Sequence, residues 1–344
     1  MNQPQVLNSF GRDLSTLSKK NLTFQVNLAF QYWRTTGFPF TTLNLDEVTK
    51  NYVRLECSRL LNDINKEQLS NSTVGLRLAN SFHPQIWKVP SQGHRKSPLD
   101  HFKDDETLKK LLLRAIRFWP NRKCWTASCI RDLFRMYAGG RVSNFRPVVA
   151  RQLIHEFSKT GDVILDFCSG YGGRLLGAIS LDRHYIGLDV EMDQITGSSN
   201  MIQSLSGIAK GSAELHHGLA EEKLPLYDSN SIDMIITSPP YFNLEKYSAG
   251  LGQSYVRYDN YERWKTNFLE KVLHEAHRIL KPNSFLVINI ANIPKFPIAK
   301  DLELISKQLF QIDTLTTLPI NSRPYQRKTG NAERGEPVFV FKKT

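Results

Sequence analysis

Apolar residues in the second half of the chain form short continuous runs separated by longer amphipathic stretches. The runs Val163–Asp166, Tyr185–Asp189 and Ile232–Thr237 carry apolar residues on both faces, which predicts strands buried in a parallel sheet. Helical spacing and weaker apolar runs add helices from Pro147 to Phe157, over 259–280 and over 298–309, and strands over 214–220, 284–290, 311–318 and 336–342. The alternation of strands and helices predicts an α/β domain.

The beginning of the chain follows a different pattern. Apolar residues occupy every second position from Leu22 to Tyr32, which predicts a strand, with a buried helix as the alternative. Asn44 and Glu47 form a capping pair for a helix that runs to about Leu60. These elements precede the α/β pattern and predict a separate N-terminal region.

The rest of this region is predicted to be a loop followed by two helices. Residues 80–101 mix prolines, glycine, aromatic and basic side chains, which predicts an irregular loop that could contact nucleic acid or could be an ordinary loop. A helix opened by acidic residues at 104–106 carries Arg114 and Arg117 on its polar side, and a second basic helix follows. The pair Gly139-Gly140 predicts the domain boundary.

Basic residues are concentrated in residues 1–140. The net charge of the chain is +12, and this region contributes +10 of it, with 21 Lys and Arg against 11 Asp and Glu. Residues 141–344 contribute only +2. Such a surface favours a polyanionic partner, although a merely solvated basic surface would have the same composition.

Several classes of protein are disfavoured by composition. No run of 18 apolar residues and no apolar signal segment is present, so we expect neither a membrane span nor secretion, and a cytoplasmic location instead. The four cysteines are scattered and suit a reducing compartment: Cys57, Cys124, Cys129 and Cys168. Cys124 and Cys129 lie five apart without a second pair or nearby histidines, so we expect no zinc site. His216 and His217 are adjacent on a predicted strand, so they point to opposite faces and predict no metal site.

A glycine-rich turn follows the strand that ends at Asp166. Gly170 and Gly172 allow the backbone to approach a ligand where any side chain would obstruct it. The dinucleotide-binding fingerprint needs a further glycine where Leu175 stands, so the turn does not predict NAD binding. The next strand ends at Asp189, a position from which a carboxylate can accept both hydroxyls of a ribose, with Glu191 as the fallback.

The strand over 232–237 ends in Thr237-Ser238-Pro239-Pro240-Tyr241. The prolines stiffen the turn and hold the Ser238 hydroxyl and the Pro239 carbonyl as two acceptors that face one point. Tyr241 offers a flat ring for stacking. Two acceptors and a ring suit the exocyclic amino group of a nucleobase, although a Pro-Pro turn after a buried strand is also a common structural feature.

The two turns, in this order, resemble the S-adenosylmethionine (SAM)-dependent DNA amino-methyltransferases over roughly residues 141–344. The resemblance implies an α/β, Rossmann-like methyltransferase fold, here with a mainly helical basic N-terminal region, and SAM as cofactor. It implies catalytic roles for Ser238, Pro239, Pro240 and Tyr241. It implies cofactor contacts from Phe145, Asp166, Cys168, Gly170, Gly172, Asp189 and Thr237. One departure is Leu219, which stands where many relatives have an aspartate that contacts adenine.

The resemblance implies transfer of the SAM methyl group to an amino group of a flipped base in double-stranded DNA. Serine in the first catalytic position favours cytosine N4, with adenine N6 as the alternative, and RNA or a glutamine amide are lesser alternatives. No cysteine follows a proline, which excludes C5-cytosine chemistry. Residues 1–140 are predicted to read the target, and phosphate contacts are predicted for Arg323, Arg327, Lys328, Arg114 and Arg117. A cognate restriction endonuclease as partner is left open. The alternative from another class is a DNA-binding protein that keeps the fold and has lost catalysis.

Overall fold

The computed structural model describes residues 18–61, 69, 72–90, 96–119, 125–137, 142–244, 246–293, 295–311 and 337–344. The chain forms two compact units. Unit 1 comprises residues 1–42 and 84–143, and unit 2 comprises residues 43–83 and 144–344. Among the described residues, none of the helices combines the length and the apolar character needed to cross a lipid bilayer.

The elements are numbered in chain order. The helices that precede the sheet are α1 (Lys19–Thr36), α2 (Leu45–Glu56), α3 (Leu76–Phe82), a 3-10 turn (Pro84–Lys88), α4 (Pro98–Lys103), α5 (Asp105–Phe118), α6 (Ala127–Tyr137) and α7 (Pro147–Phe157). The elements of the sheet region are β1 (Val163–Asp166), α8 (Gly173–Ile179), β2 (His184–Asp189), α9 (Met192–Ser204), β3 (Ser212–His217), α10 (Ala220–Lys223), a 3-10 turn (Leu224–Leu226), β4 (Ile232–Thr237), α11 (Ser254–Arg257), α12 (Tyr261–Trp264), a π-helical stretch (Lys265–Glu270), α13 (Lys271–Ile279), β5 (Leu280–Asn289), α14 (Ile298–Leu309) and β6 (Val338–Lys342).

Unit 1 is helical and has an aromatic core. The ring of Phe38 lies with its centroid 5.0 Å from Trp87, 5.3 Å from Phe102 and 6.1 Å from Phe134. These rings join the segment after α1 to the 3-10 turn, α4 and α6, and edge-to-face aromatic contacts of this kind stabilise a small core beyond the area they bury. The prediction of a mainly helical N-terminal region is confirmed for the described residues.

The strand predicted over residues 22–32 is wrong, because this segment is part of α1. Its buried residues are Val26, Ala29, Phe30 and Trp33, which is the spacing of one helical face. The side chain of Ser18 caps the helix by accepting a hydrogen bond from the Asn21 N–H. The alternating pattern predicted a strand because it did not take account of Ala29 and Trp33, which complete the buried face of the helix. Phe24, which belongs to the alternating set, is 60% exposed.

Unit 2 contains a six-stranded sheet in the order β3-β2-β1-β4-β5-β6. All neighbouring pairs are parallel except β5 and β6, which are antiparallel. The chain winds outward from β1 to β3 on one side and then from β4 to β6 on the other. The order therefore reverses between β1 and β4, and ligands of open α/β sheets bind at the carboxyl ends of strands at such a reversal.

Two apolar cores cover the two faces of the sheet. The larger is formed by the π-helical region, α13 and α14 together with one face of β4 and β5. The other joins α7, α8 and α9 to the opposite face of the sheet and includes Tyr52 and Leu78 from α2 and α3. Burial of both faces explains why the central strands β1, β2 and β4 are largely apolar rather than alternating, whereas the edge strand β3 is polar and exposed.

Residues 43–83 pack in unit 2 although they lie within the predicted N-terminal region. The Tyr52 hydroxyl donates to the Ile179 carbonyl at 3.0 Å, and Arg151 donates to the carbonyls of Glu56 and Ser58. The proposal that residues 1–140 form one functional region stays a prediction, but its boundary differs from the packing, because a sequence pattern does not reveal which core a helix joins. Gly139-Gly140, the predicted hinge, lies outside the described residues.

Other element predictions were confirmed with shifted ends. The capping pair of Asn44 and Glu47 is present at the start of α2, and the acidic opening of α5 has Asp104 as its cap. The helix predicted over 259–280 begins at Tyr261, because Asn260 and not Asp259 caps α12. Residues 80–101, predicted as loop, include the end of α3, the 3-10 turn and the start of α4. The strand predicted over 311–318 lies outside the described residues except for its first residue.

Candidate active site

The two turns singled out in the sequence leave the same edge of the sheet from adjacent strands. β1 and β4 are parallel neighbours, with Ile164 opposite Met234 and Leu165 opposite Ile235. β1 ends at Asp166 and β4 ends at Thr237, so the glycine-rich turn and the Pro-Pro turn begin side by side. A ligand that lies across the reversal of strand order would touch both turns.

Asp166 is enclosed at the start of the glycine-rich turn. It is fully buried, and its carboxylate accepts hydrogen bonds from Arg174 Nε at 2.6 Å and from the Tyr185 hydroxyl at 2.8 Å. Arg174 also donates to the Cys168 carbonyl at 2.5 Å. Burial raises the pKa of the Cys168 thiol well above its ordinary value, and the nearby charges of Asp189 and Asp166 raise it further. This network holds the turn from within, so the carboxylate of Asp166 supports the site from beneath.

Gly170 and Gly172 adopt left-handed backbone conformations with φ of 58° and 72°. Gly172 is also crowded, because a Cβ atom there would lie 2.7 Å from Met201 Cε and 3.1 Å from His83 Cε1. Gly173, the first residue of α8, is tighter still, since a Cβ atom would lie 2.0 Å from the Phe145 carbonyl oxygen. The glycines thus bring the turn against the segment that carries Phe145, whose ring lies 5.2 Å from the Arg174 guanidinium.

Asp189 lies at the end of β2 and faces the turn. Its carboxylate accepts hydrogen bonds from the Gly170 N–H at 2.7 Å and from the Glu191 N–H at 2.9 Å. Burial raises the pKa of Asp189 to about 6, although the two N–H donors favour the ionised form. Each carboxylate oxygen can accept more than one hydrogen bond, so Asp189 retains acceptor capacity for ligand hydroxyls.

The turn after β4 places Ser238 and Pro240 partly exposed, with Tyr241 7% exposed between the turn and the larger core. Phe242 follows with a left-handed φ of 52°, which is unusual for a bulky residue. Its ring lies edge-on to Phe296 at 5.3 Å, and its carbonyl accepts from the Ser254 hydroxyl at 2.6 Å. These contacts hold the strained residue in place and fix the direction in which the Pro-Pro turn leaves the strand.

The segment after this turn is tied to the β2 edge through Glu191. The Ser248 hydroxyl donates to Glu191 Oε1 at 2.5 Å, and Gln253 Nε2 donates to the same atom at 2.6 Å. Further along, the Tyr258 hydroxyl donates to Glu221 at 2.6 Å. Glu191, the fallback ribose ligand, therefore holds this segment, which leaves Asp189 as the better placed of the two carboxylates.

Two buried hydroxyls at this edge of the sheet have no hydrogen-bond partner among the described residues. They belong to Ser169, in the glycine-rich turn, and Thr237, at the end of β4. Unpaired buried hydroxyls are costly in a folded protein and are expected where a bound group completes them. This edge of the sheet offers a carboxylate, two hydroxyls, an aromatic ring and crowded glycines. These groups suit a nucleoside that carries a ribose, a base with polar atoms and an amino-acid tail.

Sequence reasoning missed three residues that organise the site. Arg174 and Tyr185 fix Asp166 by hydrogen bonds, and Phe242 anchors the Pro-Pro turn. An arginine inside an apolar helix start was the available signal for Arg174, since a buried guanidinium requires a carboxylate partner. Arg114 and Arg117 are exposed on α5 in unit 1. Arg323, Arg327 and Lys328 lie outside the described residues.

The strand order, the glycine-rich turn and the acidic end of β2 are those of the Rossmann-like fold of SAM-dependent methyltransferases. A sequence profile of the N6/N4 methyltransferase family, described as DNA methylase, matches residues 232–344. This third of the chain is similar to that family, in agreement with the resemblance seen in the two turns.

One curated relative is the type II methyltransferase M.BglI of Bacillus subtilis, which is 40% identical over 82 residues. The match covers 24% of this chain and about a fifth (21%) of the relative.

Solved structures of methyltransferases are distant neighbours. TrmN from Thermus thermophilus is 16% identical, with a TM-score of 0.41 over 58% of this chain and 49% of that chain. A SAM-dependent methyltransferase from Methanosarcina mazei is also 16% identical, with a TM-score of 0.39 over 56% of this chain and 96% of that chain.

Proposed function

We propose that this protein transfers the methyl group of SAM to an exocyclic amino nitrogen of a base in double-stranded DNA. The observation that carries the proposal is the parallel pairing of β1 with β4, which starts the glycine-rich turn and the Pro-Pro turn side by side at the reversal of strand order. A donor held by one turn and an acceptor held by the other can then react directly, without a covalent enzyme adduct.

The cofactor would be held along the carboxyl ends of β1, β2 and β4. Asp189 accepts the ribose hydroxyls, the turn from Cys168 to Gly172 supplies backbone N–H groups and close approach, and Phe145 and Thr237 line the two sides. Asp166 keeps the turn in shape through Arg174. When bound, SAM supplies a methyl group that is already activated by the positive sulfonium.

The target amine would be held by the turn after β4. The Ser238 hydroxyl and the Pro239 carbonyl would accept hydrogen bonds from its two N–H groups, which increases the electron density on nitrogen. The proton that the amine loses after methylation passes to solvent water. Pro239 and Pro240 restrict the backbone so that both acceptors keep one direction. Stacking of the flipped base on the Tyr241 ring would offset part of the cost of unstacking, at about 1–3 kcal/mol per base.

The proposed target amine is cytosine N4, which the serine at position 238 favours. Adenine N6 is the alternative. The name of the relative M.BglI, a type II methyltransferase, supports a place beside a cognate restriction endonuclease in the cytoplasm. An inactive DNA-binding protein is the rival of another class. The rival predicts neither SAM binding nor methyl transfer.

DNA recognition is assigned to residues 1–140, with help from the basic residues at 323–328. In unit 1 the Arg114 guanidinium lies 4.0 Å from the Tyr137 ring centroid and 5.2 Å from that of Phe118, which is 47% exposed. This exposed pairing of cation and aromatic rings, with Arg117 on the same helix, suits phosphates and bases. Arg117→Ala should weaken DNA binding and reduce its salt dependence by about one ion. Lys159→Ala, in the loop before β1, serves as the control.

The experiment that tests the function is incubation with labelled SAM and plasmid DNA, followed by mass spectrometry of the nucleosides. N4-methylcytosine is expected, N6-methyladenine would select the alternative amine, and no methylated nucleoside despite SAM binding would refute the proposed substrate. Ser238→Ala should abolish transfer and leave SAM affinity within about twofold. Ser231→Ala, which removes an exposed hydroxyl bonded to the Asp228 carbonyl before β4, should retain activity.

A further inference from the structure

Three polar side chains outside the recognised motifs surround the glycine-rich turn. Asn80 and His83 come from the end of α3, and Asn144 precedes the segment that carries Phe145. All three belong to unit 2. The hydrogen bonds of Asp166 and Arg174 fix only the buried side of this turn. The motif residues therefore do not explain what fixes its other side.

Asn144 links α3 to the turn. Its Nδ2 donates to the Tyr171 carbonyl at 2.9 Å and to Asn80 Oδ1 at 3.2 Å. Its Oδ1 lies where a Cβ atom on Gly173 would be only 2.9 Å away. The amide therefore spans the turn at its narrowest point and determines how closely the Phe145 backbone approaches α8.

His83 supports the same turn from the side of α9. It is fully buried, its Nδ1 donates to the Ala79 carbonyl at 2.8 Å, and its Nε2 lies 3.2 Å from the Ser198 hydroxyl, which donates to it. Burial lowers the pKa of His83, so the ring is neutral and both of its nitrogens are used. Its edge lies against Gly172 and its centroid is 6.0 Å from the Tyr171 ring.

The helix that presents these residues is itself fixed against the sheet domain. A Cβ atom on Gly75, which precedes α3, would lie 2.7 Å from Pro147 Cβ at the start of α7. A Cβ atom on Gly197 in α9 would lie 2.5 Å from the Phe82 carbonyl oxygen. α3 thus packs between α7 and α9 with no space for adjustment, so a change at Asn80 or His83 is transmitted to the turn.

We propose that Asn80, His83 and Asn144 are positioning residues that hold Tyr171–Gly173 in the conformation that binds the cofactor. The inference rests on the proposed function, because it takes SAM as the ligand of this turn. It makes residues 76–83 a part of the cofactor site, although they precede the methyltransferase motifs by about a quarter of the chain. These side chains act through the backbone of the turn and do not touch the reacting atoms.

The test measures the Kd for SAM by calorimetry in the full chain, without DNA, beside thermal unfolding of the ligand-free protein. Asn144→Ala removes two hydrogen bonds to the turn and α3 and should raise the Kd by about tenfold. Asn80→Ala should raise it by less, and Asn80→Asp, which keeps the acceptor for Asn144, should restore the wild-type value. The KM for SAM should rise in the same order while kcat changes by less than about twofold.

Asn51→Ala is the matched control, because Asn51 Nδ2 donates to the Glu47 carbonyl at 2.7 Å within α2, away from the turn. It should lower thermal stability without changing the Kd. An unchanged Kd in Asn144→Ala, or the same change in Asn51→Ala, overturns the inference while the proposed function survives. Failure of the wild-type chain to bind SAM overturns both. If Asn144→Ala does not fold, the comparison of Asn80→Ala with Asn80→Asp decides.

Discussion

Lowering the pH should weaken cofactor binding through Asp189. Burial raises the pKa of this carboxyl group to about 6, and only the ionised form can accept hydrogen bonds from both ribose hydroxyls while it retains those from Gly170 and Glu191. The carboxylate fraction is then about 0.99 at pH 8 and about 0.09 at pH 5. If the neutral form does not bind, the Kd for SAM rises by about tenfold over this range.

The sign of the effect on stability is opposite. The pKa of Asp189 in the folded protein lies above its ordinary value of 3.8, so ionisation is less favourable in the folded state than in the unfolded state. The contribution to stability is present below about pH 4 and is lost as the pH rises through 6. The shift corresponds to about 3 kcal/mol at most. An ionised Asp189 therefore destabilises the ligand-free protein, but it provides the acceptor that cofactor binding needs.

Isothermal titration calorimetry with SAM between pH 5 and 8 measures the binding effect. Because hydroxyl donors lower the pKa of Asp189 in the complex, binding near pH 6 should also release a proton, which appears as a dependence of the heat on the buffer. Asp189→Asn should bind weakly with a flat profile, and Asp228→Asn, an exposed control, should keep the wild-type profile. A flat wild-type profile, or an unchanged slope in Asp189→Asn, would refute the reasoning.

Three further predictions concern packing at the site. Gly173→Ala should weaken SAM binding more than tenfold, since the added Cβ would lie 2.0 Å from the Phe145 carbonyl oxygen. Gly177→Ala, also in α8, would clash with α7 at 2.7 Å and should lower stability with little change in SAM affinity. Equal SAM affinities of the two variants would contradict this prediction. Arg174→Met strands a buried carboxylate and should cost about 3–5 kcal/mol by urea unfolding, against less than about 1 kcal/mol for Arg135→Met in an exposed pair. Phe242→Ala should cost about 3–5 kcal/mol and lower kcat more than it raises the KM for SAM, and unchanged kcat would show that the ring does not hold the catalytic turn.

The residues of the candidate site could be predicted from the sequence because they depend on local backbone conformation. A buried strand that ends in an acid or in two prolines, and glycines at positions that need φ > 0, leave a local pattern whatever the surroundings. The two turns, their order along the chain and the acid at Asp189 were therefore predictable. The central strands β1, β2 and β4 were predictable for the same reason, since burial on both faces makes them largely apolar.

Tertiary structure alone decided what these local elements touch. Alternating apolar residues suit a strand, yet residues 22–32 are helical because Ala29 and Trp33 complete a buried face in unit 1. No local pattern indicated that α3 would deliver Asn80 and His83 to a turn more than eighty residues further along the chain, or that Glu191 would bind Ser248 and not a ligand. Contacts between distant segments depend on complementary shape and on pairing of buried polar groups, and both arise only when the whole domain is packed.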